Sequence, residues 1–248
     1  MIKMIATDLD NTLLKADKTI SEYTASVFER CRKKGIKIVF ATARLLSMIT
    51  DFAEIIEIDG LVATNGAFIY AGDTLVYESL IPVDISKKLL LELGTNPQVY
   101  KISARKHDMY YTNVPRDNTD CVFDFTTELC EEISHLSFRT ADIALAAEIT
   151  KKYSNLEIHH VSGEELYDVE AKGCTKANAI KQLCKLFSIS QDEVAAFGDD
   201  YNDIEMLEYC GMGIAVANAI DEVKAVADFI CGTNENDGVA KWIEENIL

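Results

Sequence analysis

The sequence predicts an α/β fold in which a parallel-sheet core is interrupted by an inserted α+β segment. Three observations lead there. Short apolar runs alternate with amphipathic helical stretches in the first third and again in the last third of the 248 residues, the βα rhythm of a parallel sheet. That rhythm lapses over residues 83–166. Two of the apolar runs end in carboxylates: residues 4–7 lead into Asp8 and Asp10, and residues 194–197 lead into Asp199 and Asp203.

Residues 2–9 read as a buried strand ending in acids. Residues 21–34 read as a helix capped by Ser21, with Gly35 just beyond its end. Residues 36–42 form a second apolar strand, residues 44–53 a helix and residues 61–64 a third strand. The order βαβαβ implies right-handed crossovers. Asn65-Gly66 signals a turn, and residues 68–70 and 74–80 flank Ala71-Gly72-Asp73 as a hairpin. After Pro82 the pattern is α+β: a helix near 86–93, strands around 98–103 and 109–113, a helix near 141–153 and a strand at 156–161. In the last third, residues 175–187 put Ala177, Ile180, Leu183, Cys184 and Phe187 on one helical face. A strand at 194–197, a helix near 202–208, an apolar run at 213–217, a helix near 221–226, a short run at 229–231 and a closing helix at 239–245 follow. The simplest architecture is a Rossmann-like core from residues 1–82 and 167–248, with residues 83–166 as a separate small domain.

Composition narrows the function. At 48% hydrophobic and 26% charged residues, the chain is globular, without low-complexity tracts. Its net charge of −17 and lack of a basic stripe exclude nucleic acid as a partner. The densest basic group, Arg32-Lys33-Lys34, lies at a helix end, where cations offset the dipole. The seven cysteines are odd in number and scattered, with no Cys-x-x-Cys, as free thiols in a reducing cytosol would be. The first apolar run is interrupted by Asp8 and is neither leader nor membrane span; a cytoplasmic location and no membrane partner are expected. His107, His135, His159 and His160 lack metal-site spacing and read as surface or packing residues. No Gly-rich nucleotide loop is present.

The chemistry lies in the separated acids. If the two strands that carry them are neighbours, Asp8, Asp10, Asp199 and Asp203 meet at the carboxyl edge of the sheet, where open α/β sheets bind ligands. Clustered carboxylates repel unless a cation joins them, and hard oxygen donors suit Mg²⁺. Residues two apart on a strand point the same way, so Asp8 and Asp10 face one pocket. One can attack phosphorus while the other moves protons. Thr42, ending the second strand, offers a hydroxyl and backbone N–H groups to a phosphate oxygen. Arg44 is a candidate ligand, although an arginine in a helix's first turn more often pairs with solvent or an acid. Lys176, following Lys172-Gly173-Cys174-Thr175, offers an ammonium to phosphate. Asp199 reads as a direct metal ligand. Asp203 would hold a metal-bound water or orient Lys176, Asn202 would donate to phosphate, and Asp200 is a bystander. Helix capping explains one or two of these acids but not the whole Gly198–Asp203 string. Arg105, Lys106 and Arg116 are candidate contacts to a leaving group, each more often a solvated charge.

Together these motifs resemble the haloacid dehalogenase-like superfamily, in its Cof-type phosphatase branch. The residues that carry the resemblance are Asp8-Leu9-Asp10-Asn11-Thr12-Leu13-Leu14, Phe40-Ala41-Thr42-Ala43-Arg44, Thr64-Asn65-Gly66-Ala67, residues 172–176 and residues 198–203. The tail is similar too, at Asn218-Ala219, Val223-Lys224 and Asp237-Gly238-Val239-Ala240. The resemblance implies Asp8 as nucleophile and Asp10 as general acid and base. It also implies that Thr42, Lys176 and Asn202 bind phosphate, that Mg²⁺ is held by Asp8, the Asp10 carbonyl and Asp199, and that Asp203 supports the metal. The middle segment is then an α/β cap closing over the substrate. Ala43 stands in the phosphate-binding stretch where this branch usually has glycine, and its methyl narrows the approach. The expected activity is Mg²⁺-dependent hydrolysis of a small phosphorylated metabolite, a sugar phosphate foremost, through an aspartyl phosphate. The rivals are a phosphohexomutase of the same superfamily, a receiver-like module that is phosphorylated on aspartate, and a catalytically silent binding protein.

Overall fold

The computed structural model describes residues 1–106, 109–115, 121–127, 132–161 and 163–248. The chain divides into two compact units, one built from Met1–Glu78 and Thr175–Leu248 and the other from Ser79–Cys174. The first unit begins with β1 (Met4–Thr7), α1 (Glu22–Lys33), β2 (Lys37–Ala41), α2 (Thr50–Ile55), β3 (Gly60–Ala63), β4 (Phe68–Ala71) and β5 (Thr74–Glu78). The second contains α3 (Val83–Thr95), β6 (Lys101–Lys106), β7 (Met109–Thr112), β8 (Cys121–Val122), β9 (His135–Arg139), α4 (Ile143–Lys152), β10 (Leu156–Val161) and β11 (Leu166–Ala171). The chain then returns to the first unit with α5 (Lys176–Phe187), β12 (Val194–Gly198), α6 (Ile204–Tyr209), β13 (Met212–Ala215), α7 (Asp221–Val226), β14 (Phe229–Ile230) and α8 (Gly238–Asn246).

The first unit is a single sheet in the order β14-β13-β12-β1-β2-β3-β4-β5. Pairing is parallel from β14 to β3, while β4 and β5 add an antiparallel hairpin. The central strands are apolar along their whole length, and Ile5, Ile38, Phe40 and Phe197 are fully buried, as a sheet covered on both faces requires. Ser21 caps α1 as expected, its hydroxyl accepting from the Thr24 amide at 3.0 Å. β1 lies between β12 and β2, with Thr7 level with both Phe197 and Phe40. That register brings the residues after β1 and β12 to one carboxyl edge, although they are about 190 residues apart in sequence.

The second unit has its own sheet, β10-β11-β9-β6-β7-β8, antiparallel except between β7 and β8. Its strands alternate. Ile102, Ala104, Leu136, Phe138 and Val169 are buried, and α3 and α4 contact β6 and β10 through the buried Leu89, Leu90, Leu93, Leu145 and Ile149.

Several elements differ from the sequence reading. β9 and β11 were not anticipated: His-Leu-Ser-Phe-Arg and Leu-Tyr-Asp-Val-Glu-Ala interleave charges with apolar residues, which hides short strands. β11 pairs with β9 and β10, so the second unit extends to Cys174. Residue 44 is not helical. A short 3₁₀ turn spans Leu46–Met48 before α2, because tertiary bonds engage both the carbonyl and the guanidinium of Arg44. His107, Arg116 and Cys130 lie outside the described residues, as does the side chain of Lys106. The six described cysteines are free. Among the described residues no helix is long and apolar enough to cross a membrane.

Candidate active site

β1 stops at Thr7. Asp8 stays extended (φ −64°, ψ 162°), and a single π-type turn, Leu9–Leu13, follows. The Asp8 amide donates to the Phe197 carbonyl at 3.0 Å, which ties the strand end to β12. Asp10 (φ −70°, ψ 126°) and Asn11 (φ 59°) break the turn internally, and the Asn218 amide holds the Asn11 carbonyl at 2.7 Å. The expected strand alternation therefore does not orient the two acids: a turn separates them, and each meets different partners.

Asp8 meets Lys176. The ammonium of this lysine, 1% exposed as a residue, donates at 2.7 Å to Asp8 Oδ1 and at 2.7 Å to Asp203 Oδ1. Lys176 is the first residue of α5, and the hydroxyl of Thr175 caps the helix by accepting from the Asn178 amide at 3.2 Å. Asp203 is fully buried. Its second oxygen accepts from the Asp199 and Asp200 amides at 2.9 and 3.2 Å, which bends the chain after β12 back over the sheet edge. Gly198 makes that bend fit: a Cβ there would lie 2.4 Å from the Asp203 Cβ. The Thr12 hydroxyl donates to Asp199 Oδ1 at 2.7 Å, linking the turn after β1 to the loop after β12.

Asp10 meets Arg44 and Lys18. Arg44 donates from Nε at 2.6 Å and from Nη2 at 2.7 Å, and Lys18 Nζ donates at 2.7 Å. Arg44 also stacks over the Phe52 ring at 5.0 Å. Burial works to raise the Asp10 pKa, but these hydrogen bonds outweigh it and bring the group down to about 2.

The other acids shift upward. Burial, reinforced by Asp203 and Asp10 and opposed by Lys176, raises Asp8 to about 7. Burial and the charges of Asp8 and Asp203 raise Asp199 to about 8. For Lys176, burial opposes the charge, but Asp203 and Asp8 overcome it and raise the pKa. One ammonium thus faces three carboxylates, of Asp8, Asp199 and Asp203, that each offer an oxygen within 4.8 Å of the others. This is an under-neutralised set of hard oxygen donors, and it fits a divalent cation such as Mg²⁺. Both Asp203 oxygens already accept hydrogen bonds, whereas Lys176 and Thr12 engage Asp8 and Asp199 through Oδ1.

Thr42, at the end of β2, is 1% exposed, and its hydroxyl accepts from the Arg44 amide at 3.1 Å. Ala43 is exposed beside it. Asn202 donates to Asn65 Oδ1 at 2.9 Å. Asp8, Asp199, Asp203 and Lys176 are thus in one network, Asp10 is in an adjoining ion-pair cluster, and Thr42 and Asn202 are joined to neighbouring loops. Sequence reasoning missed Thr12, Lys18, Asn65 and Gly198. Thr12, Asn65 and Gly198 left a signal, since each stands inside one of the strings that carry the resemblance; Lys18 left none.

A family model described as haloacid dehalogenase-like hydrolase matches residues 5–243. Two Bacillus subtilis 5-amino-6-(5-phospho-D-ribitylamino)uracil phosphatases are similar to this chain. YitU is 29% identical over 98% of this chain and 96% of its own length; YcsE is 29% identical over 100% and 96%. Among solved structures, the phosphatase BT1666 from Bacteroides thetaiotaomicron is 26% identical with a TM-score of 0.87, covering 99% of this chain and 95% of that one. The subclass IIB sugar phosphatase BT4131 is 26% identical with a TM-score of 0.84, covering 98% of each chain.

Proposed function

Since this chain belongs to the haloacid dehalogenase-like hydrolase family, we propose that it is a Mg²⁺-dependent phosphatase that passes the phosphoryl group of a small phosphomonoester through Asp8. The observation that carries this reading is the buried Asp8–Lys176–Asp203 network beside Asp199. A carboxylate held at the sheet edge by a buried ammonium is positioned as a nucleophile.

In the first step an Asp8 oxygen forms a bond to phosphorus, the bond to the leaving oxygen breaks, and Asp10 delivers a proton to that oxygen. In the second step water attacks the acyl phosphate, Asp10 takes the water's proton, and phosphate leaves as Asp8 regains its carboxylate. Asp10 is a carboxylate when Arg44 and Lys18 both hold it, so before it can act as an acid one of these cations turns to the substrate phosphate and Asp10 takes up a proton, from water or from the O–H of a singly ionised phosphomonoester. Asp8, Asp199 and the Asp10 carbonyl would hold Mg²⁺, with Asp203 in support. Bound there, Mg²⁺ neutralises charge between the acids and the phosphate. Lys176, Thr42 and Asn202 contact the phosphate oxygens, and the Ala43 methyl borders them.

The substrate class follows from the relatives. Two are named for a phosphoribitylamino compound and one as a sugar phosphatase, and both names point to phosphate on a polyhydroxylated carbon chain. Sugar and sugar-alcohol phosphates are therefore the proposed substrates, with the inserted unit choosing among leaving groups. The free thiols among the described residues fit a reducing cytosol. The test is phosphate release from a panel of hexose, pentose and alditol phosphates, with Mg²⁺ and with EDTA. Mg²⁺-dependent release, greatest for polyhydroxylated leaving groups, is expected. Release that is unchanged in EDTA would reject the metal, and a flat panel would reject the substrate class.

A further inference from the structure

The loop between β3 and β4 has a backbone that its sequence does not favour. Thr64 (φ 49°), Asn65 (φ 53°) and Gly66 (φ 113°) are three consecutive residues in the left-handed region. For a β-branched threonine this is a genuine outlier. The Thr64 hydroxyl is, in addition, buried without a hydrogen-bond partner, a further cost. Strain of this kind persists where surrounding bonds over-determine it, and it concentrates at functional sites.

Those surrounding bonds lead to the proposed phosphate site. The Thr64 amide donates to the Arg44 carbonyl at 3.0 Å, and the Asn65 amide donates to the Thr42 carbonyl at 3.0 Å. Gly66 lies against the Thr175 backbone, where an added Cβ would come within 2.8 Å of the carbonyl oxygen, one residue before Lys176. The Asn65 side-chain oxygen accepts from Asn202 Nδ2 at 2.9 Å. A turn needed only to reverse β3 into β4 requires none of these four connections, and a left-handed threonine is a poor choice for one.

We propose that Asn65 is a positioning residue. Its carboxamide oxygen, aimed by the strained backbone, fixes the plane of the Asn202 amide and so presents the remaining Asn202 polar atoms to the substrate phosphate. This rests on the phosphatase reading above. Asn65 touches no reacting atom; it acts through Asn202.

The experiment is a double-mutant cycle. Asn65→Gly removes the carboxamide while tolerating the left-handed backbone, so it isolates the side chain from the fold. Wild type, Asn65→Gly, Asn202→Ala and the double variant are compared for kcat, KM and thermal midpoint on p-nitrophenyl phosphate with Mg²⁺. Each single change is expected to lower kcat/KM by roughly tenfold to a hundredfold, the scale of one hydrogen bond to a charged group, with the midpoint nearly unmoved. The double variant should be no worse than the weaker single. Losses that multiply, or full activity in Asn65→Gly, would overturn the inference. The Asn202 side-chain amide signals in ¹⁵N NMR, assigned by their loss in Asn202→Ala, read the same link without turnover. Asn65→Gly should collapse them toward the positions of a solvated amide, and unmoved signals would overturn the proposal whatever the activity. Absent wild-type turnover with the NMR link intact would overturn the phosphatase reading alone.

Discussion

Thr12 shows how a site depends on a residue with no reactive chemistry of its own. Its buried hydroxyl supplies the 2.7 Å hydrogen bond to Asp199, and a valine of the same shape would leave that carboxylate less fixed. Thr12→Val is predicted to raise the Mg²⁺ concentration for half-maximal activity by roughly tenfold, given that a hydrogen bond to a charged group contributes about 1.5–3 kcal/mol. A titration of activity against Mg²⁺ measures it. Gly198→Ala is the steric counterpart. Its new methyl would overlap Asp203, and overpacking of this sort costs about 1–3 kcal/mol. A lowered thermal midpoint together with reduced activity is expected, because Asp203 cannot move without releasing Lys176. At this scale the acids were legible because each pair ends an apolar run. The Asp10 clamp was legible only in part: the sequence left Arg44 to solvent or an acid, and the choice of Asp10, with the contribution of Lys18, depends on how the turn after Thr7 is broken. The partner of Thr12 was not legible, since it lies 187 residues away.

The β9–β11 pair of the second unit makes a pH-dependent element. His135 Nε2 lies 3.1 Å from Asp168 and 3.8 Å from Glu170, and Glu170 is fully buried. Burial lowers the His135 pKa and Arg105 opposes the charge, but attraction to Asp168 and Glu170 prevails and raises it above the ordinary 6.5. A raised histidine stabilises the fold fully at pH below its unfolded value, and that contribution is lost as pH climbs through the folded value. Denaturation midpoints should therefore fall as pH rises above the ordinary histidine value of 6.5, and His135→Gln should flatten that slope. An equally steep slope in the variant would show that other groups cause it. The same strands show why the second unit was harder to read than the first. The parallel strands are unbroken apolar runs, legible by composition alone. β9 and β11 interleave charged and polar residues with buried apolar ones, and the sequence boundary at 166 leaves residues 167–171 with the core instead of the second unit.

Over the whole molecule, the two halves of the first unit meet at acids that repel one another. Three carboxylates against one buried ammonium make the metal-free protein less stable than its packing allows. Saturating Mg²⁺ should raise the thermal midpoint, by the equivalent of about 2.7 kcal/mol at a hundred times the dissociation constant. Asp199→Asn should remove most of that rise. A midpoint insensitive to Mg²⁺ in wild type would argue against a divalent site. The central claim, however, is the identity of the nucleophile. The most direct measurement is acid quenching of wild type and Asp8→Asn during turnover of a sugar phosphate labelled in its phosphoryl group, followed by peptide mapping with and without hydroxylamine. The account predicts label on the peptide carrying Asp8, released by hydroxylamine as an acyl phosphate is, and absent from Asp8→Asn along with phosphate release. Label on another residue, or full Mg²⁺-dependent turnover in Asp8→Asn, would contradict it.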